Sequence, residues 1–433
     1  MNTFNRFILL LSAFVITSEL QAQLCQGSLG DPIINTTFGA GANPGAPLSA
    51  ATTTYQYFSS DCPDDGFYAV RNSTSGCFGS NWHSIPADHT GDVNGYFMLV
   101  NATFQPSSFY LDTVKGLCGG TTYEFAAWVI NVINPSRAPN SIEPDLTFSI
   151  EKTDGTILQT YNTKSINPFF SPTWKQFGFF FTTPAAASNV VLRIFNNAIG
   201  GNGNDLGLDD ITFRPCGPRL TSSISGYTTQ SVTICEGTAQ SFTFNGSLSA
   251  GFSNPSYQWQ QYAAGSWTDI AGATGTIYTK SFITSTAAGN YVYRLTVAEA
   301  GNLNSPQCRV ASPVVTIVIS KNPVTTANSN SPVCSGNSLL LKATGGTQYT
   351  WSGPNGFSAS SDTVSINNIQ ANDAGKYFVL VKNADGCSHL DSTSVLVNPS
   401  PLGQVSFSIA TICNGDSLQL IASGGQIYEW LPS

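Results

Sequence analysis

The sequence predicts an all-β chain made of several β-sandwiches, and three observations carry that prediction. Charged residues make up only 10% of the 433 positions, while glycine reaches 40 residues and aromatics 12%. In such a composition Thr and aromatics fill strands, and Gly, Asn and Pro make turns. Runs such as "SLLLKA" and "KYFVLV" alternate with period two between turn residues, and the strand-rich N-terminal region sustains no helical period. Finally, the C-terminal half repeats itself. "VCSGNSLLLKATGGTQYTW" (Val333 to Trp351) returns as "ICNGDSLQLIASGGQIYEW" (Ile412 to Trp430) at a constant offset of 79, without a gap. A unit of that length is too long for a solenoid repeat and suits a string of sandwich modules.

The chain opens with "MNTFNRFILLLSAFVITSELQAQ". Arg6 supplies a positive start, Phe7 to Ile16 an apolar core, and Leu20-Gln21-Ala22 a small-residue cleavage signal. Residues 1–22 are thus predicted to be a signal peptide, too short in apolar run to stay as a membrane span. Leu24 is a poor neighbour for a lipidated Cys25. The protein is expected to be secreted or displayed at the cell surface, where its ten cysteines are free to form disulfides. A formal net charge of -8 with no basic stripe excludes nucleic acid as a partner. After leader removal no segment is predicted to insert in a membrane.

Residues 24–218 carry nine or ten candidate strands, among them "GYFMLVN", "TYEFAAWVINV", "LTFSIEK", "WKQFGFFFTT", "NVVLRIFN" and "LGLDDITF". That count without a helix is the size of a jelly-roll sandwich. In the last strand, period two places Asp209 on the core face with Ile211 and Phe213, and Leu208, Asp210 and Thr212 on the other. A buried carboxylate there would cost several kcal/mol unless a cation or several donors met it. The segment "GGNGNDLG" before it offers Asn202, Asn204 and Asp205, as further oxygen ligands or as a glycine-rich turn.

Together these strands resemble the jelly rolls of carbohydrate-binding modules, of the galactose-binding-like type. In that family a strand ending in Asp-Asp-Ile or Asp-Asp-Val closes the fold, and its acid joins a structural calcium. The resemblance implies a calcium ligand at Asp209 or Asp210, completed by main-chain oxygens near Asn35 to Gly39.

"WHSIPADHTGDVNGYFMLVN" (Trp82 to Asn101) gathers His83, His89, Asp88 and Asp92 in a chain poor in charge. Catalysis by either histidine would need a nucleophile or metal set, and no Gly-x-Ser-x-Gly or His-Glu-x-x-His pattern accompanies them. Zinc would want a third nearby ligand. Calcium prefers oxygen, and Asp88, Asp92 and Asn94 give a fragment of such a loop without its closing Glu. The plainest reading is a polar turn bonded to its own backbone. A sugar site needs exposed flat aromatics beside polar groups, which makes Trp82 with His83, and then Tyr96, the ligand-binding candidates. Trp128 and Trp174, set in apolar strands, read as core.

From residue 219 the modules begin: 219–320, 321–399 and a partial third at 400–433. "QANDAGKYFVLV" holds Asp373, Gly375 and Tyr377 in the Asp-x-Gly-x-Tyr pattern of a tyrosine corner, and "TAAGNYVYRLTV" repeats it at Tyr291 with Ala287 in place of the aspartate. Trp259 and Trp351 read as core residues of the sandwiches. These modules resemble the bacterial immunoglobulin-like repeats of large secreted adhesins and gliding-associated surface proteins. In the third, Leu418, Leu420 and Trp430 lack the strands that would cover them. The cysteines allow one pair per module, Cys235–Cys308 and Cys334–Cys387, with Cys413 left over. Cys62–Cys77 and Cys25–Cys216 are the N-terminal pairs, and Cys118 is odd.

The whole reads as an all-β, exported, non-enzymatic surface or adhesin-like protein: a calcium-stabilised jelly roll binding a glycan or a protein, followed by tandem immunoglobulin-like spacers. Two rivals stand beside it. One is the accessory region of a polysaccharide-degrading enzyme whose catalytic domain lies past residue 433; the other is a structural matrix or gliding-associated protein.

Overall fold

The computed structural model describes residues 24–185, 188–407 and 411–431; the predicted signal peptide lies outside them. The fold is all-β, a jelly-roll sandwich followed by immunoglobulin-like sandwiches. Among the described residues, helix is confined to single turns such as Cys77–Ser80 and Ala371–Asp373, and none is long and apolar enough to cross a membrane. The chain forms two compact units. One comprises residues 24–223, 244–278 and 293–314; the other comprises 224–243, 279–292 and the rest from 315.

The jelly roll places one sheet over another. The larger runs Lys175–Thr182, Thr122–Asn131, Leu206–Gly217, Phe97–Val100, Phe67–Arg71, Gln56–Tyr57, with Ser28–Leu29 and Ile34–Thr36 added along Leu206–Gly217. The smaller runs Ser107–Leu117, Ser188–Asn196, Asp145–Lys152, Ile157–Ser165. Alternation sends Phe125, Ala127 and Val129 from one sheet, and Leu146, Phe148 and Ile150 from the other, into a shared core.

One strand breaks that alternation. Leu206, Leu208, Ile211 and Phe213 all enter the main core, although an unbroken period of two would put Leu208 and Ile211 on opposite faces. The pairing with Thr122–Asn131 steps from Asp209↔Trp128 to Thr212↔Ala126, so the strand spends one residue more than its partner. Asp210 is the bulge, at φ 38°. The expectation that Asp209 shares a face with Ile211 and Phe213 is therefore corrected. The bulge flips the parity, and Asp209 lies on the outer face, opposite the core.

That outer face is itself covered. Phe97, Leu99, Ile130 and Val132 point out from the large sheet and meet Cys77, Trp82, Ile85 and Ile133, with Trp174 packed alongside. The segment expected to be a polar loop is thus a lid on a second small core, and burying its apolar side chains holds it down.

Within the same unit, Trp259 is fully buried against Phe244 and Tyr278 and donates to the Gly275 carbonyl at 3.1 Å. Within this unit the jelly roll also meets residues 293–314 through fixed groups. Asp31 takes both guanidinium nitrogens of the buried Arg294, at 2.7 and 2.5 Å, and Asn302 donates to the Gly119 carbonyl at 3.2 Å.

In the other unit, Thr326–Ser329, Leu339–Thr344 and Thr363–Ile366 form one sheet of a sandwich, and Ser358–Ala359, Gln348–Ser352, Gly375–Lys382 and Ser388–Val395 the other. Trp351, Leu339, Leu341, Tyr377 and Val379 fill it. Tyr377 donates to the Asp373 carbonyl at 3.0 Å, and Tyr291 to that of Ala287 at 2.8 Å. Asp373 accepts from the Gln370 N–H at 2.8 Å and fixes the turn ahead of its tyrosine. Gln404–Phe407 pairs with Leu420–Ser423, and Leu418, Leu420 and Trp430 are exposed.

Four disulfides form: Cys25–Cys216, Cys62–Cys77, Cys118–Cys308 and Cys235–Cys387. The expected pairs Cys235–Cys308 and Cys334–Cys387 do not. Cys235 stands at the end of its strand next to Ser320, while Cys308 lies in a loop that reaches Cys118 of the jelly roll. Their bonds join neighbouring modules instead of closing each one.

Candidate functional site

The lid brings His89 to two adjacent carboxylates, the nearer in sequence 120 positions away. His89 donates its backbone N–H to Asp209 at 3.2 Å, and its Nδ1 lies 3.3 Å from a carboxylate oxygen of both Asp209 and Asp210. Its ring stacks on Trp128 at 4.5 Å, so Trp128 serves the outer face and not the main core. Asp209 is 1% exposed, and burial pushes its carboxyl well above the usual range against the pull of the His89 and Asp210 N–H groups. Asp210 moves in the same direction for the same reason.

The carboxylates of Asp88 and Asp92 are occupied locally, and Asn94 takes part through its backbone. One Asp88 oxygen accepts from the Thr90 N–H at 2.8 Å and the Asp92 N–H at 2.9 Å, and Asp92 accepts from the Asn94 N–H at 2.9 Å. Gly95 is needed here, because a Cβ would meet the Asp88 carboxylate at 1.9 Å. Calcium asks for six to eight oxygens. The cluster at Asp209 offers two carboxylates and an imidazole nitrogen within 4.8 Å, with Asp209 already engaged by N–H donors. That donor set fits calcium poorly.

The aromatic candidates are placed differently from expectation. Trp82 is 2% exposed and donates Nε1 to Asp205 at 3.1 Å. His83 is buried with Nε2 2.8 Å from the Phe169 carbonyl, and Tyr96 is buried with its hydroxyl on the Ala42 carbonyl. All three are buried, Trp82 in the small outer core and at the wall of a cleft, and Tyr96 in the main core. The cause is packing on both faces of the large sheet, the outer core taking Trp82 and the main core Tyr96.

Two other aromatics take the exposed role. Phe78, 46% exposed, stands edge-on to Trp82 at 5.0 Å, and Phe104 is 63% exposed. Between them opens a cleft of about 580 Å³ lined by Asp64, Asp65, Asn81, Asn101, Asn202 and Asp205. Asp205, at its floor, accepts from Trp82 and from the Ala102 N–H at 3.3 Å, yet burial pushes its carboxyl up to about 7. Asp65 is also raised, by burial and by Asp64 beside it. The glycine-rich segment forms part of the wall. A Cβ on Gly203, at φ 102°, would meet the Ile142 carbonyl at 2.6 Å, so only glycine lets the wall close. Sequence reasoning missed both phenylalanines. The available signal was position: Phe104 stands between strands beside "QPSS", where a large apolar side chain has no core to enter.

No family of known proteins matches the chain, and neither does any curated protein. Among solved structures the chain is similar to a CBM4 carbohydrate-binding module at 18% identity, covering 35% of this chain and 73% of that one with a TM-score of 0.19. A second, titled as a family 16 carbohydrate-binding module, shares 20% identity over 27% of this chain and 75% of that one, TM-score 0.18. An I-band fragment of titin shares 11% identity over 68% of this chain and 100% of that one, TM-score 0.28. These are likenesses of fold alone.

Proposed function

We propose that the chain is an exported, non-catalytic surface protein whose jelly roll binds a glycan in the cleft between Phe78 and Phe104. The single observation behind this reading is chemical. Two exposed rings flank a polar trough of carboxylates and amides, which is what sugars require: flat apolar faces for C–H groups and acceptors and donors for hydroxyls. The tandem modules act as the arm that presents it.

A glycan array probed with the exported chain tests the proposal. Phe104→Ala is expected to lower affinity for the best ligand about tenfold, near 1.4 kcal/mol, with no change in melting temperature. Binding to no sugar, with capture of a surface protein through the same cleft, would shift the reading to the protein-binding rival. Calcium from the resemblance is tested separately. Because a calcium ion would have to displace His89 from Asp209, melting is expected to be the same in calcium and in chelator; a rise of several degrees with calcium would restore the ion.

A further inference from the structure

Cys235 and Cys334 occupy the same structural position. Each ends a short strand that runs parallel to the last strand of its module, with Cys235 opposite Ser320 and Cys334 opposite Asn398. The next residue donates back to that partner in both cases: Glu236 N to the Ser320 carbonyl at 2.8 Å, Ser335 N to that of Asn398 at 2.7 Å. A turn then closes on the cysteine carbonyl, from Thr238 N and Asn337 N, at 3.1 Å each, through a glycine at φ 84° and φ 90°. The neighbouring apolar residue, Ile234 or Val333, is buried in each. The two cysteines differ in one respect. Cys235 is bonded and Cys334 is a free, part-exposed thiol.

The pairing of Cys235 says what that position is for. Its partner, Cys387, lies in the turn after Gly375–Lys382, the strand carrying the tyrosine corner of the following module. That turn docks beside the bond: Asn383 donates to the Lys321 carbonyl at 2.9 Å, and Ser320 bonds Asp385 at 2.5 Å. Cys308, which follows the corner strand Gly289–Glu299 of the earlier module, likewise reaches back, to Cys118 of the jelly roll. So the cysteine after a corner strand bonds the module before it, and the cysteine that opens a module bonds the module after it.

We infer that Cys334 is the open end of an intermodule disulfide ladder, and that its partner is the cysteine following the corner strand of a third copy of the repeat. Gln404–Phe407 pairs with Leu420–Ser423 as Thr326–Ser329 pairs with Leu339–Thr344, so the first strands of that copy are in place. Bond formation is an ordinary two-electron oxidation of two thiols with loss of two protons, the electrons passing to the oxidant or disulfide exchange partner that makes the other four bonds during export. The ladder ties each junction covalently without closing any module on itself.

The test is a disulfide map of the protein as its own host exports it, unfolded and alkylated without reduction and then cut with trypsin. Cleavage after Lys321 and Lys342 isolates Cys334 on a peptide with no other cysteine. The expected result is that peptide joined to one bearing a cysteine just after a third corner strand. An alkylated Cys334, a bond to Cys413, or a Cys334–Cys334 bond between two chains would each overturn the inference. A Cys387→Ser variant adds an internal control. It is expected to free Cys235 while leaving the Cys334 linkage in place; transfer of Cys235 to the Cys334 partner would mean that the ladder has no fixed order.

Discussion

Asp205 sets the pH behaviour of the cleft. Two donors, Trp82 Nε1 and the Ala102 N–H, favour its anion, but removal from water outweighs them and raises the carboxyl from 3.8 to about 7. Asp65 nearby adds negative charge and pushes in the same direction. The native state therefore holds this proton between about pH 4 and 7, where the unfolded chain has released it. The stability it contributes is complete below the unfolded value and is lost as pH rises through about 7. Melting temperature is expected to fall between pH 5 and pH 8, and Asp205→Asn, which keeps the shape and cannot ionise, is expected to flatten that slope. An equal slope in both proteins, followed by calorimetry, would place the effect on another group. The sequence marked Asp205 only as one polar member of a glycine-rich run. Its burial depends on Trp82, 123 positions away, and no local pattern reports such a contact.

At the scale of single elements, alternation made the strands readable, and the one bulge shows where that reading stops. The residues of Leu206–Gly217 are apolar at the positions the core needs, but the count between Leu208 and Ile211 is one too many for an unbroken strand. Two consecutive aspartates stand there, with no glycine to announce a positive φ, so simple alternation assigns Asp209 to the wrong face although it is buried as expected. Asp210→Gly is expected to keep the jelly roll folded, since glycine adopts φ 38° without strain. Deleting Asp210 is also expected to leave it folded, because removal of the extra residue places Leu206, Leu208, Ile211 and Phe213 at alternate positions on the core face of an unbroken strand. Export yield and near-ultraviolet circular dichroism check both variants; an unfolded deletion would mean that the local twist set by the bulge is itself needed to hold the strand in the sheet. The tyrosine corners needed no such correction, because their hydrogen bond spans only four residues, Tyr377 to Asp373 and Tyr291 to Ala287.

Across the whole molecule the cysteines carry information that residue order conceals. Pairing one cysteine per module with the other of that module is the shortest closure, yet a disulfide needs Cα atoms within about 7 Å, not proximity in sequence. The Cys118–Cys308 bond meets that at 6.0 Å across 190 positions, and it is reinforced by Asp31 on Arg294 and by Asn302 on Gly119. Arg294, Asn302 and Cys308 are thus each fastened to the jelly roll, in a stretch the sequence suggested to be part of a spacer. In a chain-entropy account, a loop of that length constrains the unfolded state by about 5 kcal/mol at 25 °C. The double variant Cys118→Ser with Cys308→Ser is expected to lower the melting temperature of the segment that includes the jelly roll, and to make residues 300–310 the first site of proteolysis. The ion pair and amide contact should still hold the fold together at low temperature, so glycan binding at 20 °C is expected to be unchanged. Melting and cleavage like the wild type would mean that the polar contacts alone fix the junction. Loss of binding in the cold would mean that the bond shapes the cleft itself, although Cys118 is not among the residues that line it.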